Sequence, residues 1–238
     1  MRFLDPLLMR QALLLFAAVV VCVLFIDRPL SDAMLGLGPG WHALAEFVTT
    51  FGVSTGYLLA LPAAIIALAI VSATAASPRC RLLSRWWAWA LVFLFLAIAL
   101  SGLANDVVKM LVGRPRPMYP GLGLRPFVFE YRSQSFPSGH AATAFGLAFG
   151  ATALWPLLRW PLILFAVAVA ASRVALNVHF LGDTIGSLLV ALLTVRWLLA
   201  MSARHGIVFR RRLDGKIRRR PIGLGQLVHS CSRRITPA

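Results

Sequence analysis

Acidic residues are scarce in this chain. Asp and Glu together number eight in 238 residues, and charged residues of both signs make up 13%. An average soluble domain carries about 25% charged residues. That shortage excludes an ordinary water-facing surface. It also disfavours a metal-dependent hydrolase, because two-metal sites need several converging carboxylates or histidines. Only Asp106, Glu130 and Asp183 fall near the residues singled out below, so neither a metal nor any other cofactor is expected. The three cysteines, Cys22, Cys80 and Cys231, share no metal-ligand spacing, and no disulfide is expected among them. There is no internal repeat of fixed period and no low-complexity tract.

What is abundant is apolar sequence, at 59%. A membrane bundle can use that much, because lipid replaces water around its outer faces. A spanning helix needs roughly 20 mostly apolar residues. Six such stretches are expected, near residues 7–26, 56–76, 86–112, 140–157, 160–178 and 183–200. The expected fold is therefore an all-α, six-helix membrane bundle over residues 1–200, followed by a basic tail at 201–238. The first span should stop at Asp27-Arg28-Pro29. Read instead as a cleaved signal, with Arg2 and Arg10 as its basic region, the apolar run is too long. Residues 31–51 read as an amphipathic interfacial helix, with Trp41, Leu44, Val48 and Phe51 on one face. The proline-rich stretch 113–139 cannot span, and 177–182 reads as a tight turn.

The net charge of +16 would suit nucleic acid on composition alone. The positions of the charges give a simpler reason. Six spans put both termini on one side. Of the 24 Lys and Arg, only Arg28, Lys109, Arg114, Arg116, Arg125, Arg132 and Arg173 then fall on the other side. The positive-inside rule places the termini in the cytoplasm and residues 113–139 outside. The expected location is a cell inner membrane, with the basic tail against anionic lipid headgroups rather than nucleic acid.

Six of the seven outer cations cluster between Lys109 and Arg173. Cations near hydrocarbon are expensive and need a reason. Snorkelling to headgroups suffices for Arg125 and Arg132. Lys109, Arg116 and Arg173 lie in three short stretches that point elsewhere. The first is Lys109-Met-Leu-Val-Gly-Arg-Pro-Arg116-Pro117. The second is Pro137-Ser138-Gly139-His140. The third is Ser172-Arg173-Val-Ala-Leu-Asn-Val-His179-Phe-Leu-Gly-Asp183. Three cations can neutralise a phosphate of about −1.5 to −2 charge, and arginine adds a fork that fits its oxygens. Ser138 and Gly139 open the fourth span, where free backbone N–H groups and the helix dipole favour an anion. His179 and Asp183 are four apart. A carboxylate on one ring nitrogen leaves the other free to attack. His140 has no such partner in sequence, which suits a general acid.

These stretches, in this order, resemble the type 2 phosphatidic acid phosphatase superfamily, which includes bacterial phosphatidylglycerophosphate, undecaprenyl pyrophosphate and lipid A phosphatases. The resemblance covers Lys109 to Asp183 directly. It implies a lipid phosphate substrate, a phospho-enzyme at His179 and leaving-group protonation by His140. Arg116 takes the phosphate role because its spacing from Lys109 fits the family, although Arg114-Pro115 offers a second Arg-Pro. Which lipid phosphate is cleaved stays open at this point. So do two rivals: transfer of the phosphate to a second lipid instead of water, and a non-enzymatic transporter or scaffold. Against the last, no span carries a polar stripe at mid-membrane, where transport sites lie.

Overall fold

A computed structural model describes residues 6–119, 121–206, 208–211 and 217–220. Among the described residues eight α-helices follow in chain order: α1 Pro6–Val21, α2 Asp27–Met34, α3 Pro39–Thr50, α4 Ser54–Thr74, α5 Pro78–Val112, α6 Gly139–Leu154, α7 Arg159–Ala175 and α8 Leu181–His205. Among the described residues five helical stretches are long and apolar enough to cross a membrane: Pro6–Met34, Pro39–Thr74, Pro78–Val112, Pro156–Ala175 and Leu181–His205. The fourth expected span, 140–157, corresponds to α6, which has only 16 residues and is therefore about 24 Å long.

Helix α6 is short but central, packing against α5, α7 and α8. Its sequence explains why. Ala141, Ala144, Ala148 and Ala151 are buried, and two glycines let α5 come close. A Cβ on Gly146 would lie 2.9 Å from the Ala97 carbonyl oxygen, and one on Gly150 would lie 2.7 Å from Ala97 Cβ. Small residues at a helix interface allow dispersion contacts that lipid would otherwise take up. Helix α4 packs on α5, α3 on α7, and α1 on α8.

Helix α5 runs for 35 residues, about 52 Å, and so overshoots a hydrocarbon core of about 30 Å. Arg79, Arg81 and Arg85, expected in a loop, form its first turns at one end. Lys109 lies in its last turn at the other. It stops at Gly113, which takes φ 58°, and a Cβ there would overlap the Arg125 backbone. Only glycine fits that position.

Three expectations need correction. The first span does not stop at Asp27-Arg28-Pro29. The chain passes through a π turn, Cys22–Ile26, straight into α2. Pro29 falls in the first turn of α2 beside the altered register, where its missing N–H costs least. Asp27 does not reach the lipid surface; it is 1% exposed. The interfacial helix expected over 31–51 is two pieces, because α2 ends at Met34 and α3 starts afresh with Pro39 in its first turn. Within α3, Trp41 and Leu44 are exposed and Ala45 is buried. The basic tail does not begin at 201. Helix α8 continues to His205 and leads to an antiparallel pair, β1 Phe209–Arg211 with β2 Ile217–Arg219. Phe209 is buried against Phe93, with ring centroids 4.7 Å apart, so the start of the basic region is anchored in the core. Residues 221–238 lie outside the described residues.

Candidate active site

The three sequence stretches meet at one end of the bundle. Helix α5 brings Lys109, Ser138 stands at the N-cap of α6, and α6 brings Gly139 and His140. Helix α7 brings Arg173, the α7–α8 turn brings His179, and α8 brings Asp183. Arg116 arrives from the irregular segment after α5.

Asp183 is the organising residue. It is fully buried, and its Oδ2 accepts the Phe180 N–H at 2.9 Å, which caps α8. The same oxygen accepts the Ser135 hydroxyl, while Oδ1 accepts Arg114 Nη1 at 2.7 Å. The Asp183 carbonyl accepts the Ser138 N–H at 3.2 Å. Ser187 Oγ donates to the Ser138 carbonyl at 2.7 Å. These bonds fix the start of α6 against the start of α8.

His179 is 3% exposed. Its Nδ1 faces Asp183 Oδ2 at 3.5 Å, long for a hydrogen bond, as catalytic contacts often are before a ligand binds. Its Nε2 lies 3.3 Å from Arg116 Nη1. An arginine can only donate, so Nε2 holds the lone pair and Nδ1 the proton toward Asp183. Burial pushes the His179 imidazole down to about 4. Arg116 and Arg173 push the same way, while Asp183 opposes them. The ring is therefore neutral at ordinary pH, as a nucleophile must be.

Arg116 is held rigidly. Its Nε donates to the Tyr131 carbonyl at 2.8 Å and Nη1 to the Val178 carbonyl at 3.0 Å. The guanidinium lies 3.8 Å from the Tyr131 ring centre. Burial lowers its pKa, but an arginine remains charged. The choice between the two Arg-Pro pairs follows from this geometry. Arg116 faces the histidine, whereas both arms of Arg114 are occupied by carboxylates, Asp183 at 2.7 Å and Asp27 at 2.8 Å.

Several donors here have no partner among the described residues. Ser138 Oγ and Arg173 Nε are both buried without a hydrogen bond. Lys109 has only a loose contact with the exposed Asp106, at 3.8 Å. Its Nζ would lie 3.8 Å from a Cβ placed on Gly139, so the ammonium sits against the start of α6. Unpaired donors beside a helix N-terminus suit an anion. Among the described residues, no three His, Cys, Asp or Glu side chains converge as a metal-ligand set.

Four contributors escaped the sequence reading. Thr49 on α3 accepts Arg173 Nη1 at 2.8 Å. Gly52, just past α3, packs on His140, and a Cβ there would lie 2.8 Å from His140 Cβ. Neither carried a signal in sequence. Ser135 and Asp27, both bonded into the Asp183 network, are the others. Asp27 did carry one, since an acid at the end of an apolar span is costly and implies a partner.

Known proteins resemble this chain in sequence and in fold. The family model of the PAP2 superfamily matches residues 90–207. A lipid A 1-phosphatase of Rhizobium johnstonii is 29% identical over 203 residues, covering 83% of this chain and 82% of the relative. A lipid A 1-phosphatase of Rhizobium etli is 33% identical over 136 residues, covering 53% of this chain and 56% of the relative. The crystal structure of a transmembrane PAP2 type phosphatidylglycerolphosphate phosphatase from Bacillus subtilis superposes with a TM-score of 0.59 and 25% identity. That match covers 83% of this chain and 94% of the other.

Proposed function

Because the chain belongs to the PAP2 superfamily, we propose that it is a membrane lipid phosphatase working through a phosphohistidine at His179, without a metal. The carrying observation is the buried His179, with Nδ1 3.5 Å from Asp183 Oδ2 and Nε2 3.3 Å from Arg116 Nη1. The substrate class is a lipid phosphate monoester or pyrophosphate. Lipid A 1-phosphate stands first, since that is the named substrate of both curated relatives. Phosphatidylglycerophosphate, undecaprenyl pyrophosphate and phosphatidate follow.

In the first step His179 Nε2 attacks phosphorus in line with the leaving oxygen. Lys109, Arg116 and Arg173, with the Ser138–Gly139 backbone, neutralise the phosphoryl oxygens, whose charge shifts in the transition state. Asp183 stabilises the positive charge that develops on the ring. His140 protonates the leaving oxygen as the P–O bond breaks. In the second step a water attacks the phosphohistidine, its proton passes to His140, and inorganic phosphate leaves. Helix α6 is taken as a sixth span, which puts both termini on one side and the site on the other. The excess of Arg and Lys at the opposite end supports a periplasm-facing site in the inner membrane.

The test is phosphate release by the purified protein across a panel of lipid phosphates, with and without EDTA. A radiolabelled substrate traps the acid-labile phospho-enzyme. Expected are turnover in EDTA, fastest on a lipid A 1-phosphate, and loss of both turnover and label in His179→Ala. Activity surviving in His179→Ala overturns the nucleophile. Loss in EDTA restored by one divalent metal overturns the metal-free chemistry.

A further inference from the structure

Asp27 is the feature the reaction above leaves unused. It lies at the start of α2, far from the motifs in sequence and outside the residues matched by the family model. Yet it is a buried carboxylate with two charged neighbours in series. Its Oδ2 accepts Arg114 Nη2 at 2.8 Å, and its Oδ1 accepts the Gly182 N–H at 2.8 Å. The other arm of Arg114 binds Asp183 Oδ1, and Asp183 faces His179. The guanidinium lies 4.2 Å from the Phe180 ring centre, so its plane is fixed from a third side. A Cβ at Gly182 would lie 2.8 Å from Asp27 Oδ2; the missing side chain is what admits the carboxylate.

The row therefore reads Asp27, Arg114, Asp183, His179, with charges minus, plus, minus and neutral. A guanidinium bonded to Asp183 alone would cancel most of the negative field that the histidine feels. A second carboxylate on the far arm returns it. We infer that Asp27 is a positioning and charge-balancing residue for the nucleophile: by neutralising Arg114 and holding Gly182, it keeps Asp183 oriented and electrically negative toward His179. This rests on His179 being the nucleophile. The phosphorylated ring carries a positive charge that Asp183 must offset, so the effect falls on formation of the phospho-enzyme and not on lipid binding. The other charged or titratable groups facing His179 are Arg116, from the loop after α5, Arg173 on α7 and His140 on α6. None of these supplies a negative charge, which leaves Asp183, with Asp27 behind it.

The test uses the full-length protein in detergent with three variants. Asp27→Asn keeps the shape and an acceptor for Gly182 but removes the charge. Partners one layer behind a metal-bound histidine are typically worth about 10–100-fold. Asp27→Asn is expected to lower kcat by at least about tenfold with little change in KM, to reduce the trapped phospho-enzyme, and to move the NMR titration of the His179 ring to lower pH. The double variant Asp27→Asn with Arg114→Gln removes cation and anion together. It is expected to recover kcat relative to Asp27→Asn alone, as members of one ion-pair network do, and to return the His179 titration toward the wild-type value, which a purely structural role would not do. It also serves where Asp27→Asn alone fails to fold. An unchanged kcat and titration in folded Asp27→Asn overturns the inference. So does a double variant that is no better than the single one or, where the single one does not fold, a double variant with less than about a tenth of wild-type kcat. His179→Ala is the third variant. Activity there overturns the phosphohistidine reading itself, whereas a dead His179→Ala beside a fully active Asp27→Asn sinks only the role of Asp27.

Discussion

Gly52→Ala adds one methyl group and tests whether the α3 segment belongs to the site. The new Cβ would lie 2.8 Å from His140 Cβ, 2.8 Å from Val169 Cγ1 and 3.1 Å from His140 Cδ2. Carbon atoms rest at about 3.5–4.0 Å, so the segment must open by roughly 1 Å. His140 Cβ is fixed to the first turn of α6 and cannot swing away. Helix α3 has more room to move, because its Trp41, Leu44 and Phe47 are exposed. Overpacking of this kind typically costs about 1–3 kcal/mol, which leaves the bundle folded. The shift stretches the 2.8 Å bond from Arg173 to Thr49 and releases the phosphate fork. A 1 Å misplacement of a positioning group is worth about 10²-fold. Gly52→Ala is therefore expected to lose about 10²-fold in kcat/KM on a lipid phosphate while eluting as a single folded species from gel filtration. Gly56→Ala is the control, since nothing lies within 4 Å of its Cβ, and it should stay within about twofold of wild type. Wild-type kinetics in Gly52→Ala would refute the coupling of α3 to the site.

The two histidines separate by leaving group. His140→Ala should lose about 10² to 10⁴ in rate on a lipid phosphate but much less on an activated aryl phosphate, whose leaving group needs no proton. His179→Ala should lose both equally, and equal patterns for the two variants refute the division of roles. For topology, Leu124→Cys, exposed in the segment between α5 and α6, should react with an impermeant thiol reagent in intact cells. Native Cys80, exposed beside Arg79 and Arg81, should not; each is tested as the sole cysteine, and the reverse result turns the site toward the cytoplasm. For pH, the folded His179 titrates near 4 against about 6.5 in an unfolded chain. Between those values the unfolded state binds the extra proton, so this residue's contribution to stability is present above about 6.5 and lost as pH falls toward 4. An NMR titration of the folded, substrate-free protein giving a normal value near 6.5 refutes that burial.

The sequence grouped the residues that the structure brings together better than it placed the helices' edges. Charge near an apolar run is costly, so Lys109, Arg116, Arg173 and Asp183 announced themselves, and their spacing paired them with His140 and His179. The reading erred where local rules were overruled by distant partners. Asp27 with Arg28 and Pro29 looked like a helix end, because proline and charge usually are. The helix continues since Asp27 has Arg114 and Gly182 to receive it. The basic stretch after residue 200 looked like a solvated tail. Part of it folds back because Val208 and Phe209 find the buried face around Trp86 and Phe93.

Composition and short-range spacing by themselves determined that this is a helical membrane protein with a cationic, histidine-bearing site at one end of its bundle. Those properties follow from solvation costs and helical periodicity, which act over a few residues. Only the tertiary structure decided which arginine faces His179 and what holds each proposed catalytic group in place. The contacts that settle this join residues far apart in the chain: Arg114 to Asp27 across 87 positions, Arg173 to Thr49 across 124, and Gly182 to Asp27 across 155. No local pattern encodes such pairs. They exist because packed helices leave a buried charge with few places to find its partner, and burial makes an unpaired charge too costly to keep.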